Sequence, residues 1–190
     1  MLLGGFLEFI LGNTFPSIVF SSFGAFWLTF ASTLQPFYNA YGAYSPDPTK
    51  PGLGLESVGF NASFAFFLIF MGVLCTIYFI CSLRTNVVFM VIFLTLICAF
   101  GCLAGAFFQL ANAYAAAAVN DAAMSASHAA TAGRCVVAGG AFTFVTSMAG
   151  WWIFFAIMLA ALDFPFQIPV GDLSTMIKGA SERKQERDMV

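Results

Sequence analysis

The chain has 190 residues, 61% of them hydrophobic and 8% charged, with a mean hydropathy of +0.90 and a formal net charge of −2. Soluble domains carry roughly 25% charged residues, so this chain could not clothe a soluble core in polar groups. The near-neutral balance gives no support to a nucleic-acid partner, and hydrocarbon is the environment such a composition suits.

The first eleven residues, MLLGGFLEFIL, are apolar except for Glu8 and make half a span. No basic segment precedes them and no small-residue cleavage site follows, which argues against a signal peptide. The stretch reads as the second half of a helix whose first half is absent. Gly12-Asn13-Thr14-Phe15-Pro16 then breaks the chain. Asn13 or Thr14 can cap the helix that Pro16 begins, since proline is tolerated in a first turn. Such a break also presents backbone N–H groups and a positive dipole end to an anion; an ordinary tight turn is the simpler alternative.

Crossing ~30 Å of hydrocarbon takes about 20 apolar residues. Four uncharged stretches qualify: 16–35, 60–82, 87–110 and 136–162. Backbone groups in lipid must be satisfied internally, and these runs do not alternate as barrel strands do, so they predict helices. The expected fold is all-α, a polytopic transmembrane bundle of four full spans plus one partial N-terminal span, over 1–162, with a tail at 163–190.

Between the first two full spans lies a turn-forming loop, Pro36 to Gly59, opened by the aromatic cluster Phe37, Tyr38, Tyr41 and Tyr44, a composition suited to the membrane–water boundary. Just past it, at the outer start of the next span, lies the glycosylation sequon Asn61-Ala-Ser63. Residues 82–86 form a short polar turn. Ala111 to Arg134 is Ala-rich, either a helical extension of the span before it or an amphipathic surface segment.

Four of the seven basic residues, Lys178, Arg183, Lys184 and Arg187, lie in the tail, which the positive-inside tendency assigns to the cytoplasm. Counting back puts Arg84 and residues 12–15 inside, the Tyr-rich and Ala-rich loops outside, and Met1 towards the outer face. One more preceding span would return the N-terminus to the cytoplasm. Parity and the half-length first segment together predict a fragment lacking one and a half helices.

Glu8 is the only carboxylate within an apolar run, at an expected cost of about 2.5–3.5 kcal/mol if held at mid-bilayer. It reads either as a proton relay or as a boundary residue that reaches water or a neighbouring helix. Small residues recur where helices would approach closely: Gly101 and Gly105 as GxxxG, Gly139, Gly140, Ala149 and Gly150, and Ser21, Ser22 and Gly24. No span holds a cation. The available polar groups are neutral, among them Thr95, Gln109, Thr143, Thr146 and Ser147, which suits a solute that crosses protonated or paired with a proton. The five cysteines form no CxxC pair and are distant in sequence from the single histidine, His128, so no metal or other cofactor is expected. No P-loop, GxSxG or intramembrane carboxylate pair is present, and no catalytic residue is expected.

The block Glu8-Phe-Ile-Leu-Gly-Asn-Thr-Phe15, followed by Phe20-Ser-Ser-Phe-Gly-Ala-Phe-Trp27, resembles the acetate uptake transporter family of bacterial succinate–acetate permeases and fungal acetate and ammonia-export-linked membrane proteins. Weaker echoes are Ala149-Gly-Trp-Trp152 and Ile168-Pro-Val-Gly-Asp-Leu173. The resemblance implies six helices, both termini in the cytoplasm, and a hexamer with one pore per protomer, most often in a plasma membrane. The family's first-helix NPAPLGL motif, and the pore aromatic that helix carries, have no counterpart here. The resemblance further implies a constriction at Phe23, where the family often has Tyr, and at Leu94, a size-tuning position near Gly150, and Asn13 and Thr14 along the substrate path. The expected function is transport of acetate or a similar small monocarboxylate with a proton. A non-transporting structural or sensory relative, and a channel for ammonia or another small solute, are the alternatives.

Overall fold

The structure is a computed structural model that describes residues 1–177 and 179–188 of the chain. Lys178 of the basic tail, Met189 and Val190 lie outside the described residues. The described chain is helical: α1 (Leu2–Ile10), α2 (Thr14–Leu34), α3 (Val58–Ser82), α4 (Val87–Ala118), α5 (Ala122–Ala161) and α6 (Ala180–Asp188), with three short 3-10 turns between Pro36 and Glu56. Helices α2 to α5 are each long and apolar enough to cross a membrane. The chain is an all-α, integral membrane protein, as the composition required.

The helix ends follow from a few residues. Gly12 sits at φ +82°, its N–H bonded to the Phe9 carbonyl (3.1 Å) while the Asn13 N–H reaches the Glu8 carbonyl (2.9 Å). This paired closure ends α1 with a left-handed residue, the conformation glycine adopts at least cost. Asn120 (φ 60°) ends α4 in the same way and Asp163 (φ 50°) ends α5. Asp121 then caps the next helix, its Oδ1 accepting the Met124 N–H at 2.9 Å. Ser57 caps α3 through the Phe60 N–H and Asn86 caps α4 through the Phe89 N–H.

The Ala-rich stretch 111–134 is therefore two helix ends and a three-residue turn. Its first part extends α4 past residue 110, and its last part begins α5 fourteen residues ahead of the apolar run at 136. Alanine favours helix wherever no breaker intervenes, and here only Asn120 and Asp121 intervene. At 40 residues, α5 is about 60 Å long, twice the hydrocarbon thickness.

The chain packs as two compact units, Met1–Ser63 with Leu110–Ser125 and Phe64–Gln109 with Ala126–Val190. In the first, α1 lies against α2 with their backbones close. A Cβ on Gly5 would sit 2.3 Å from Ser21 Oγ and 3.0 Å from the Ser17 carbonyl oxygen, and one on Gly24 would sit 2.8 Å from Leu2 Cγ. Ser17 Oγ donates to the Gly5 carbonyl at 2.7 Å, sealing the crossing with a buried bond. Small residues that let backbones meet, plus an interhelical hydrogen bond, are the means by which helices associate in lipid. The loop folds back on itself around buried Tyr41, whose carbonyl lies where a side chain on Gly54 would have to be.

In the second unit, α3 meets α4 through rings, Phe64 on Phe107 (4.8 Å) and Phe66 on Phe108 (5.4 Å), with Tyr78 on Phe93 (5.4 Å) further along. The two helices α4 and α5 run antiparallel along a seam. Thr95 Oγ1 bonds Thr146 Oγ1 (2.7 Å), Gly139 packs against Leu103, Gly105 approaches Cys135, and Gln109 Oε1 meets His128 Nδ1 (2.6 Å). The turn 83–86 is clasped by the chain that follows α5. Val87 N–H bonds the Gly171 carbonyl (2.8 Å), Leu173 N–H bonds the Thr85 carbonyl (2.9 Å), and Arg84 pairs with Glu182 at 3.9 Å.

Candidate functional site

The closure at Gly12 has a chemical consequence. It brings the residue three past the last of α1 over the residue two before that last one, the contact usually made by two apolar side chains. Here those residues are Asn13 and Glu8, and Asn13 Nδ2 donates to Glu8 Oε2 at 2.7 Å. Glu8 is half-buried and Asn13 exposed. The Asn13 amide does not cap α2; its hydrogen-bonding capacity is turned instead onto the carboxylate. Thr14 follows as the exposed first residue of α2. Of the residues singled out in the sequence, Glu8, Asn13 and Thr14 form one polar corner.

Phe23 lies further along α2 and is buried, at 8% exposure, with its ring edge-on to Phe26 at 6.5 Å. Leu94 and Gly150 belong to the other unit. Leu94 on α4 is 46% exposed, an open apolar side chain. Gly150 on α5 has nothing within 4 Å of the position a Cβ would take. It lies in a groove of about 390 Å³ lined by Ser147, Trp151 and Phe154. One turn N-terminal to Gly150 stands Thr146, and Thr95, its partner, is the residue after Leu94. The sequence marked both threonines as available hydroxyls but gave no sign of their pairing, because that depends on the register of two helices joined through residues 119–121. The bond between His128 and Gln109 is of the same kind.

Other sequence features resolve structurally. Asn61 of the sequon is 2% exposed within α3, and its Nδ2 donates to the Leu55 (2.8 Å) and Ser57 (2.9 Å) carbonyls. Both amide protons are engaged, so the residue is a helix-start brace. Within the GxxxG pair, Gly101 meets nothing within 4 Å, while Gly139 is the glycine that α4 crowds. Among the described residues, no three His, Cys, Asp or Glu side chains gather to hold a metal. Outside the spans, bonds from Thr49 hold the Asp47 carboxyl below its ordinary value, and bonds from Ser174 do the same for Asp172.

The likeness carried by the Glu8–Phe15 block extends over the chain. A family profile described as the GPR1/FUN34/yaaH family matches residues 1–175. "Protein alcS" of Aspergillus fumigatus is 42% identical over 174 residues, 92% of this chain and 59% of that protein. "Acetate permease A" of Emericella nidulans is 30% identical over 194 residues, 100% of this chain and 57% of that protein. "Acetate transporter protein patA" of Aspergillus clavatus is 25% identical over 169 residues, 89% of this chain and 59% of that protein. The chain thus spans under two thirds of the length of these relatives. No solved structure matches it. With a profile match over residues 1–175 and the acidic corner on its first two helices, the chain belongs to the GPR1/FUN34/yaaH family.

Proposed function

We propose that the protein moves acetate or a similar small monocarboxylate across a membrane together with a proton, with no covalent chemistry. The observation that carries this reading is the Glu8–Asn13 pair, a carboxylate and an amide donor joined at 2.7 Å in a chain whose apolar runs hold no cation. Relatives named acetate permease and acetate transporter support the substrate class.

Asn13 Nδ2 carries two N–H groups, one of them committed to Glu8. An arriving carboxylate accepts the other. Two carboxylates sharing one site disfavour double ionisation, so they hold a proton between them. The acid then travels uncharged; the gate positions implied by the family resemblance are Phe23 in the first unit and, in the second, Leu94 and Gly150, apolar positions that exclude hydrated ions, with bare backbone at Gly150 leaving width for the methyl group. The same proposal includes the plasma membrane, a hexameric assembly, and a cytoplasmic face marked by Arg84, Arg183, Lys184 and Arg187.

The test is uptake of labelled acetate into vesicles holding the purified protein. Saturable uptake that rises as the outer pH falls is the expected result, and Glu8→Gln should remove that pH dependence. Leu94→Ala should extend uptake to propionate and butyrate. No acetate flux above protein-free vesicles would sink the proposal; ammonia flux in its place would identify a channel.

A further inference from the structure

We infer that the Thr95–Thr146 hydroxyl pair sets the acid-size limit of the transport path by pinning the register of α4 against α5. The inference rests on the proposed transport function. The two oxygens are 2.7 Å apart between helices that otherwise meet through small residues at Gly139 and Gly105 and through the Gln109–His128 bond at the far end of the seam. Each hydroxyl has one proton. When one donates across the seam the other donates to its own helix, Thr146 to the Phe142 carbonyl (3.1 Å) or Thr95 to the Val91 carbonyl (2.9 Å). Neither arrangement strands a polar group in the apolar interior, so the bond forms at no desolvation cost.

The pair stands beside the two residues that would gauge the solute, both on the same side of it along the seam. Leu94 precedes Thr95, and Gly150 is one turn beyond Thr146. With 1.5 Å rise per residue and antiparallel axes, Leu94 and Gly150 differ by only about 5 Å in height along the seam. A slip of one helical turn would change that offset by about 5.4 Å, bringing Gly150 level with Leu94 or carrying it about twice as far away. Small residues give little resistance to sliding, whereas the hydroxyl pair is satisfied in one register only and holds it at the Leu94–Gly150 end of the seam, as Gln109–His128 does at the other end. The threonines are positioning residues, acting through Leu94 and Gly150.

The test compares labelled acetate and propionate uptake by full-length wild-type, Thr146→Val, Thr95→Val and Thr146→Ser proteins in vesicles. Valine keeps the volume and removes the hydroxyl. Each valine variant should raise the propionate-to-acetate ratio about threefold, equivalent to the roughly 0.6 kcal/mol typical of an interhelical polar contact in lipid. The double valine variant should be no worse than either single one, and Thr146→Ser should keep the wild-type ratio. Register is read independently of transport by Gly105→Cys, whose sulfur would meet Cys135, the present Sγ lying 4.0 Å from the Cβ position. The oxidative cross-link should form readily and slow in the Thr146→Val background. An unchanged ratio in both valine variants, with wild-type acetate uptake intact, overturns the inference and leaves the transport function standing. Absent wild-type uptake overturns that function and the size limit with it, and an unchanged cross-link overturns the register pin.

Discussion

The α1–α2 hairpin and the α4–α5 seam solve the same problem differently. Both bring two apolar helices together in a setting where burying hydrocarbon provides no drive, because lipid is as apolar as leucine. The hairpin uses closeness: Gly5 on α1 and Gly24 on α2 let the two helices approach until backbone touches side chain, and Ser17 closes the contact with a buried bond. The seam uses polar rungs at its two ends, Thr95–Thr146 and Gln109–His128, with a single crowded glycine, Gly139, between them. The consequence is a difference in tolerance. In the hairpin a glycine is required by what lies against it, whereas Gly101, Gly140 and Gly150 on the seam helices face open space. A glycine count does not locate helix contacts; the atoms around each glycine do.

The largest effect should come from breaking the hairpin. Gly5→Leu forces a side chain into Ser21 and the α2 backbone, and overpacking of this kind costs about 1–3 kcal/mol, near the upper end where backbone must move. Thermal unfolding in detergent should show a large drop in Tm. Gly101→Ala should leave Tm unchanged or slightly raised, since alanine is the better helix former. Equal losses at both positions would erase the distinction between the two regions.

Next in size is Asn61. Its amide closes the start of α3 with two bonds, and Asn61→Asp cannot donate either. Removing both side-chain donors from these part-buried bonds, of which the Ser57 carbonyl keeps the Asn61 backbone N–H, should cost about 1 kcal/mol. Glycosidase treatment of protein expressed in a eukaryotic host should produce no mass change at this site. A glycan on Asn61 would mean that α3 starts later than Val58.

The corner and the seam also differ in how far the sequence disclosed them. The Glu8 to Phe15 block disclosed a helix break, because glycine followed by asparagine has few other uses, and it disclosed the acidic group. It did not disclose that Asn13 turns back to Glu8 instead of capping α2, since that choice follows from the left-handed residue at Gly12. The four long helices were legible from uncharged runs alone. Their ends were less so: α5 starts at Ala122 because Asp121 caps it, and nothing in the hydropathy of Ala122 to Arg134 marks a helix as distinct from a loop. The threonine pair was illegible, because each partner is an ordinary neutral residue until the register is known.

Replacing Asp121 sharpens that point at a smaller scale. Asp121→Ala removes the side-chain acceptor from the Met124 N–H and should cost about 1 kcal/mol. The first turns of α5, alanine-rich and mostly exposed, should fray, and hydrogen exchange over residues 122–128 should quicken while the apolar part of the helix is unaffected.

The smallest effect concerns the clasp on the turn 83–86. Ser174 bonds hold the Asp172 carboxyl below its ordinary value of 3.8. A group depressed in the folded state contributes stability above its unfolded value, and loses it as pH falls through the lower folded value. The clasp is therefore intact at neutral pH and loosens only as acid approaches and passes below 3.8. Asp172→Asn should make the opening insensitive to pH in that window. The measurement is exchange of the Ser174 and Leu173 amides, the second bonded to the Thr85 carbonyl. Acid should speed the Ser174 amide first, because the titrating carboxylate is its own acceptor, whereas the Leu173 bond depends on the backbone geometry at Gly171, where a left-handed φ of +69° seats the chain against Val87. Simultaneous release of both amides would show that the clasp opens as one unit and that Asp172 has no separate hold on it.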